Sequence, residues 1–117
     1  MDDYKLTLRR LAMRDDRYID ALLSEEHANI TLAGIDARSH ALVRVAALIA
    51  LDAAPPSYMS AVEAGLDAGA SYDEIVGTLI AVLPTVGVGR VVTAAPNLGL
   101  AMGYDVADAL ELVEDGS

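Results

Sequence analysis

The sequence predicts an all-α protein, a compact bundle of about six to seven helices. Three observations carry that reading. Alanine is abundant while Phe and Trp are absent, and alanine is the best helix former because it loses no side-chain entropy. Apolar residues recur at helical spacing along most of the chain, punctuated by helix caps and helix stops. No stretch shows the apolar–polar alternation of a half-buried strand.

Residues 3 to 14 place Tyr4, Leu8, Leu11 and Ala12 on one helical face. Asp15 or Asp16 caps a second short helix carrying Tyr18, Ile19, Leu22 and Leu23. Ser24 to Gly34 is less periodic and reads as a connection. Asp36 then caps a helix running to about Asp52, apolar almost all round from Ala41 to Leu51. Such a helix is expected to be buried on every side and therefore central. Pro55 and Pro56 suit the first turn of the next helix, where a missing N–H is no loss. That helix carries Met59, Val62 and Leu66, and Gly69 is placed to end it in the left-handed conformation.

Ser71 with Glu74 three residues on forms a capping box that opens a helix from Asp73 to about Leu83, with Ile75, Leu79 and Val82 inward. Pro84 kinks or closes this helix. Gly87-Val88-Gly89 leads to another, from about Val88 to Met102, interrupted or bent at Pro96. A last short helix spans Val106 to Val113 before the polar tail Glu114 to Ser117. No linker divides the 117 residues, which read as one domain with a helical N-terminal extension over residues 3–24.

The net charge of −10 disfavours nucleic acid, whose binding rests on Lys and Arg. Five of the eight basic residues, Lys5, Arg9, Arg10, Arg14 and Arg17, lie in the first seventeen positions, a pattern open to a membrane surface or a partner helix. Asp2, Asp3, Asp15 and Asp16 dilute that charge and favour docking on the acidic body of its own or a neighbouring subunit. The apolar fraction of 54% exceeds the roughly 45–50% of soluble domains, and self-association is the simplest cover for the excess. From Ile75 to Tyr104 the only charge is Arg90, but Pro84, Gly87, Gly89 and Pro96 cut the stretch, so no membrane span is expected. No cysteine is present, which removes disulfides, thiolate ligands and thiol nucleophiles and fits the cytoplasm. The N-terminus has no signal-peptide pattern.

Residues 34 to 104 resemble the carboxymuconolactone decarboxylase family, which includes the alkylhydroperoxidase D-like proteins. The matching pieces are Gly34-Ile35-Asp36-Ala37-Arg38, the apolar helix Ala41 to Leu51, Ala64-Gly65-Leu66-Asp67-Ala68-Gly69-Ala70-Ser71, Asp73-Glu74-Ile75 and Val86-Gly87-Val88. The resemblance implies an all-helical fold and assembly as a trimer or a hexamer built from trimers. It does not carry the chemistry. The Cys-x-x-Cys-x-x-x-His motif of the peroxidase branch falls on Ala54, Ser57 and Ala61, so neither thiol step has an agent. The histidines of the lactone decarboxylase branch fall on Ser60 or Ala61 and near Pro96, and both are missing.

The catalytic residues are therefore unassigned, and candidates for ligand binding are His40, Arg44, Ser57, Tyr58, Ser60 and Arg90. His40 and Arg44 lie four apart and share a helix face. Arg44 interrupts an apolar surface, so it binds an anionic ligand with His40 as acid or base, or it pairs with Glu63 or Glu74 while His40 sits exposed in the first turn. Ser57, Tyr58 and Ser60 occupy the helix start where the family keeps its reactive groups. They hydrogen-bond a ligand there, or Ser57 is a helix cap and Tyr58 is packing. Arg90 follows the Gly-Val-Gly turn at a helix N-terminus suited to anions, or forms an ion pair.

Glu25-Glu26-His27 matches no metal-ligand spacing, and Gly87-Val88-Gly89 lacks the third glycine and preceding strand of a dinucleotide site, so no metal or cofactor is expected. Two functions follow. One is a non-catalytic or divergent small-ligand-binding homo-oligomer, its ligand a small anionic metabolite. The other is a cysteine-independent enzyme, decarboxylase- or lyase-like, acting on a small anionic or lactone metabolite.

Overall fold

A computed structural model describes residues 3–116, in which the only regular secondary structure is helical. The eight helices are α1 (Asp3–Ala12), α2 (Asp16–Leu23), α3 (Glu26–Ala33), α4 (Ala37–Leu51), α5 (Pro55–Asp67), α6 (Tyr72–Val86), α7 (Val88–Ala101) and α8 (Val106–Gly116). They fall into two compact units, one ending at Asp36 and one beginning at Ala37. None of the helices is long and apolar enough to cross a membrane. The apolar stretch with Arg90 as its only charge is two helices, α6 and α7, meeting at Gly87.

The first unit contains α1 to α3. Asp15 caps α2, its carboxylate accepting from the Tyr18 N–H at 3.2 Å. The connection expected over Ser24 to Gly34 is instead mostly helix: α3 occupies Glu26–Ala33 and ends on Gly34, at φ +72°. Asn29 donates to the Leu22 carbonyl at 3.0 Å, tying α3 back to α2. The apolar face of α1 does not point inward, for Tyr4, Leu8 and Leu11 are all exposed.

The second unit holds the core. Val45 and Ile49 of α4, Tyr58, Ala61 and Val62 of α5, Ile75 and Leu79 of α6, and Ala94 and Leu98 of α7 form one buried cluster with Ala70. Helix α4 packs on α5, α6 and α7, and α8 packs on α7. Helix α4 is central, yet it is not buried on every side as its all-round apolarity suggested: Val43 is 58% exposed and Leu51 74%. Its exposed apolar side chains are a surface feature rather than core.

The local signals act where the sequence placed them. Ser71 caps α6 through a complete capping box, with Ser71 N–H donating to Glu74 Oε1 and Glu74 N–H donating to Ser71 Oγ, both at 3.0 Å. Gly69, at φ +90°, closes α5 with Ala70 N–H donating to the Gly65 carbonyl and Gly69 N–H to the Leu66 carbonyl. Of the outcomes expected at the prolines, closure and interruption are not the ones found. Helix α6 continues past Pro84 to Val86, and α7 runs through Pro96 to Ala101. Each proline deletes one helical N–H, and the surrounding turns retain helical form because neighbouring helices hold them. Asp105 caps α8 by accepting from Asp108 N–H at 3.0 Å, a cap the sequence reading passed over.

Gly99 is a packing requirement. A Cβ there would lie 2.9 Å from the Tyr104 carbonyl oxygen and 3.0 Å from Val106, whereas one on Gly89 meets open space. Gly99→Ala is expected to lower unfolding free energy by about 1–3 kcal/mol through overpacking. Gly89→Ala, in a helical turn, should raise it by about 0.5 kcal/mol. Urea midpoints of the two variants check both signs.

The Glu74 carboxylate is held below the ordinary glutamate range, first by the Ser71 N–H and then by Arg38, which sits 3.6 Å away. A carboxylate with a lowered folded-state pKa contributes stability that is complete above its unfolded pKa and lost as pH falls through the folded value. Glu74→Gln keeps an acceptor for Ser71 N–H but no charge. The melting temperature of this variant should therefore fall less than wild type between neutral pH and about pH 3.

Candidate functional site

Helices α4 and α5 pack against each other and are joined by the turn from Leu51 to Pro55. Its geometry follows from local chemistry. Asp52 takes the left-handed position, φ +54°, that ends α4, with Ala53 N–H donating to the Leu48 carbonyl at 3.1 Å and Asp52 N–H to Ile49 at 3.2 Å. Pro55 and Pro56 then start α5 without needing N–H partners.

Between the two helices lies a cleft of about 310 Å³ lined by Arg44, Ala47, Leu48, Ser57 and Ser60. The spacing explains the lining. Arg44, Ala47 and Leu48 stand at i, i+3 and i+4 on α4, and Ser57 and Ser60 at i and i+3 on α5, so each set shares one face. Three of the six candidate residues are thus brought together: Arg44, Ser57 and Ser60. Chemically the cleft offers a permanent planar cation, two hydroxyls and a short apolar wall. Among the described residues its lining includes no carboxylate, imidazole or phenol.

The other three candidates lie elsewhere. Tyr58 is fully buried, and its hydroxyl donates to the Leu48 carbonyl at 3.2 Å. Burial, and secondarily the charge of Asp52, pushes its pKa above the ordinary tyrosine value. It is a strut between α4 and α5, as the packing reading held, and it does not reach the cleft. His40 is not exposed in the first turn of α4, as one reading expected, but only 7% exposed, and it is not among the residues lining the cleft. Arg90 forms an ion pair with Asp52 at 3.5 Å, both side chains about half exposed. Of the two carboxylates suggested for Arg44, Glu74 pairs with Arg38. Ser57 is not the cap of α5: Ala54 holds that position, and Ser57 stands three residues on, with its N–H donating to the Ala54 carbonyl at 3.0 Å.

Comparison with models of known protein families, with characterised proteins and with solved structures finds no match to this chain. Among the described residues no group of three or more His, Asp or Glu side chains is placed to hold a metal ion.

Tyr58→Phe tests the strut. The variant loses one hydrogen bond while the Leu48 carbonyl keeps the Ala53 N–H, so the expected cost is about 1 kcal/mol of stability. Because the same bond helps set the spacing of α4 and α5, ligand affinity at Arg44 should weaken several-fold, and calorimetry alongside urea denaturation measures both.

Proposed function

We propose that this protein is a non-catalytic, small-ligand-binding homo-oligomer whose α4–α5 cleft holds a small anion, of the short-chain carboxylate class, on Arg44. The carrying observation is the convergence of Arg44, Ser57 and Ser60 on one cleft of about 310 Å³, near the lower end of small-molecule pockets. A carboxylate accepts two parallel N–H bonds from a guanidinium, and the serine hydroxyls serve a remaining lone pair or a polar substituent. Ala47 and Leu48 supply a wall for a short alkyl portion.

The resemblance to the carboxymuconolactone decarboxylase family supports the same place. Ser57 and Ser60 stand on α5 where that family's reactive side chains would fall, and the replacement of thiol and imidazole by hydroxyls leaves binding without a nucleophile. Membership in that family and assembly as a trimer or a multiple of it belong to this proposal. So does a cytoplasmic setting, with which the absence of cysteine agrees. The alternative, a cysteine-independent lyase or decarboxylase acting on an anionic or lactone metabolite, has His40 as its one argument, buried on α4 four residues before Arg44.

Titration calorimetry with short-chain monocarboxylates and their uncharged amides tests the reading. Carboxylates should bind and amides should not. Arg44→Met should weaken binding by about tenfold or more, the scale of one charge-assisted hydrogen bond, with the helical circular dichroism unchanged. Ser60→Ala should weaken it several-fold. Equal affinity for acid and amide, or an unaffected Arg44→Met variant, would overturn the assignment. Turnover of a bound ligand that disappears in His40→Gln would favour the enzyme instead.

A further inference from the structure

The first unit shows apolar side chains on its surface and has no interior of its own. Among its described residues none is buried. On α1, Tyr4, Leu8 and Leu11 recur at i, i+4 and i+7 and form one exposed stripe, with Leu8 60% exposed. Lys5 and Arg9, four apart and also exposed, run beside that stripe. Residues 4–14 hold Lys5, Arg9, Arg10 and Arg14 and no acid, which is half of the chain's eight bases. Helical units this small that lack both a core and a disulfide usually gain stability by association, and the α1 stripe is the surface available for it.

One helix of the same chain has the opposite character. Helix α8 packs on α7 with Val106 and Ala109 half-buried. It holds four acids and no base, more acids than any other of the described helices. Asp108 and Glu111, three apart, share its exposed side, and Leu112 beside Asp108 is 68% exposed.

We propose that α1 of one copy docks on α8 of a second copy, with Leu8 and Leu11 against Leu112, and Lys5 and Arg9 facing Asp108 and Glu111. Charge complementarity selects this occupant. At −10 the chain repels its own copies in general, and the densest run of bases meeting the most acidic helix is where that repulsion reverses. An anionic bilayer would suit the bases of α1 but would repel the rest of the chain, and it leaves the exposed leucine of α8 without a cover. Both faces are exposed in the chain by itself, so the cover of each comes from another copy. Because the two faces differ, the contact is head-to-tail and closes into a ring, a trimer included. It uses no residue of the α4–α5 cleft.

Sedimentation velocity over a dilution series tests the contact. Wild type should self-associate, and Arg9→Glu, a change at an exposed position, should weaken association by about tenfold or more with unchanged circular dichroism. Adding Glu111→Arg to the same chain should restore it, which damage to the fold would not allow. Arg44→Met should associate as wild type does, which separates this contact from ligand binding. Because the chain has no cysteine, the double variant Leu8→Cys/Leu112→Cys reports where the partner helix comes from. On oxidation it should form covalent multimers, while either single variant stays mainly monomeric. A disulfide closed within one chain, unchanged association of Arg9→Glu, or no recovery with Glu111→Arg would each overturn the proposal. So would a monomeric wild type, and its co-sedimentation with phosphatidylserine vesicles would assign α1 to a membrane surface instead.

Discussion

One backbone carbonyl holds the ligand-binding candidate in shape. The Leu48 oxygen accepts from Ala53 N–H, which ends α4, and from the Tyr58 hydroxyl, which reaches back from α5. The first bond sets the reversal of the chain, and the second sets the distance between the two helices just past it. Because Tyr58 is fully buried, its hydroxyl would be costly to leave unpaired, so the pairing and the packing enforce one another. Ser57 and Ser60 flank Tyr58 on α5, and their approach to Arg44 follows from that bond. Asp52 adds a left-handed residue that also pairs with Arg90, linking the turn to the start of α7.

The second unit thus separates its tasks by face. The inward sides of α4 to α7 make an aliphatic core around one tyrosine. The α4–α5 side makes a cleft lined by Arg44, and the α4–α6 side makes a mainly aliphatic groove that Glu74 and Thr78 also line. Helix α4 serves all three, which explains its composition: it is apolar almost all round because one face is core and another lines the groove. Arg44 is the exception on its third face, and an arginine amid so many aliphatic residues carries a desolvation cost that only a partner of opposite charge or polar neighbours offset.

The fold class, the positions of α2 and α4 to α8 and several of their ends were legible because the signals that set them act within about four residues. Asp15, Gly69 and the Ser71–Glu74 pair satisfy or release backbone groups in their own turn, so their roles survive whatever packs around them. Helix α3 was not legible, since its residues form no apolar stripe. Gly34 as a left-handed stop was the one signal that marked its end. At Pro84 and Pro96 the sequence left a break or a bend open, because a proline's local cost allows either, and the helices continue through both positions.

For the site, the sequence by itself determined which chemistry is absent and which side chains were available. A chain without cysteine, and with serine and alanine where a family motif places thiols and an imidazole, has no thiol mechanism in any fold. It also determined that Arg44 shares a helix face with its neighbours at i+3 and i+4. Only the tertiary structure decided that Ser57 and Ser60 meet Arg44 while Tyr58, between them in sequence, turns into the core. The same holds for His40, which is buried, and for the apolar face of α1, which is exposed. The physical reason is range: capping and helical periodicity are local, whereas burial depends on which face meets a helix distant in sequence.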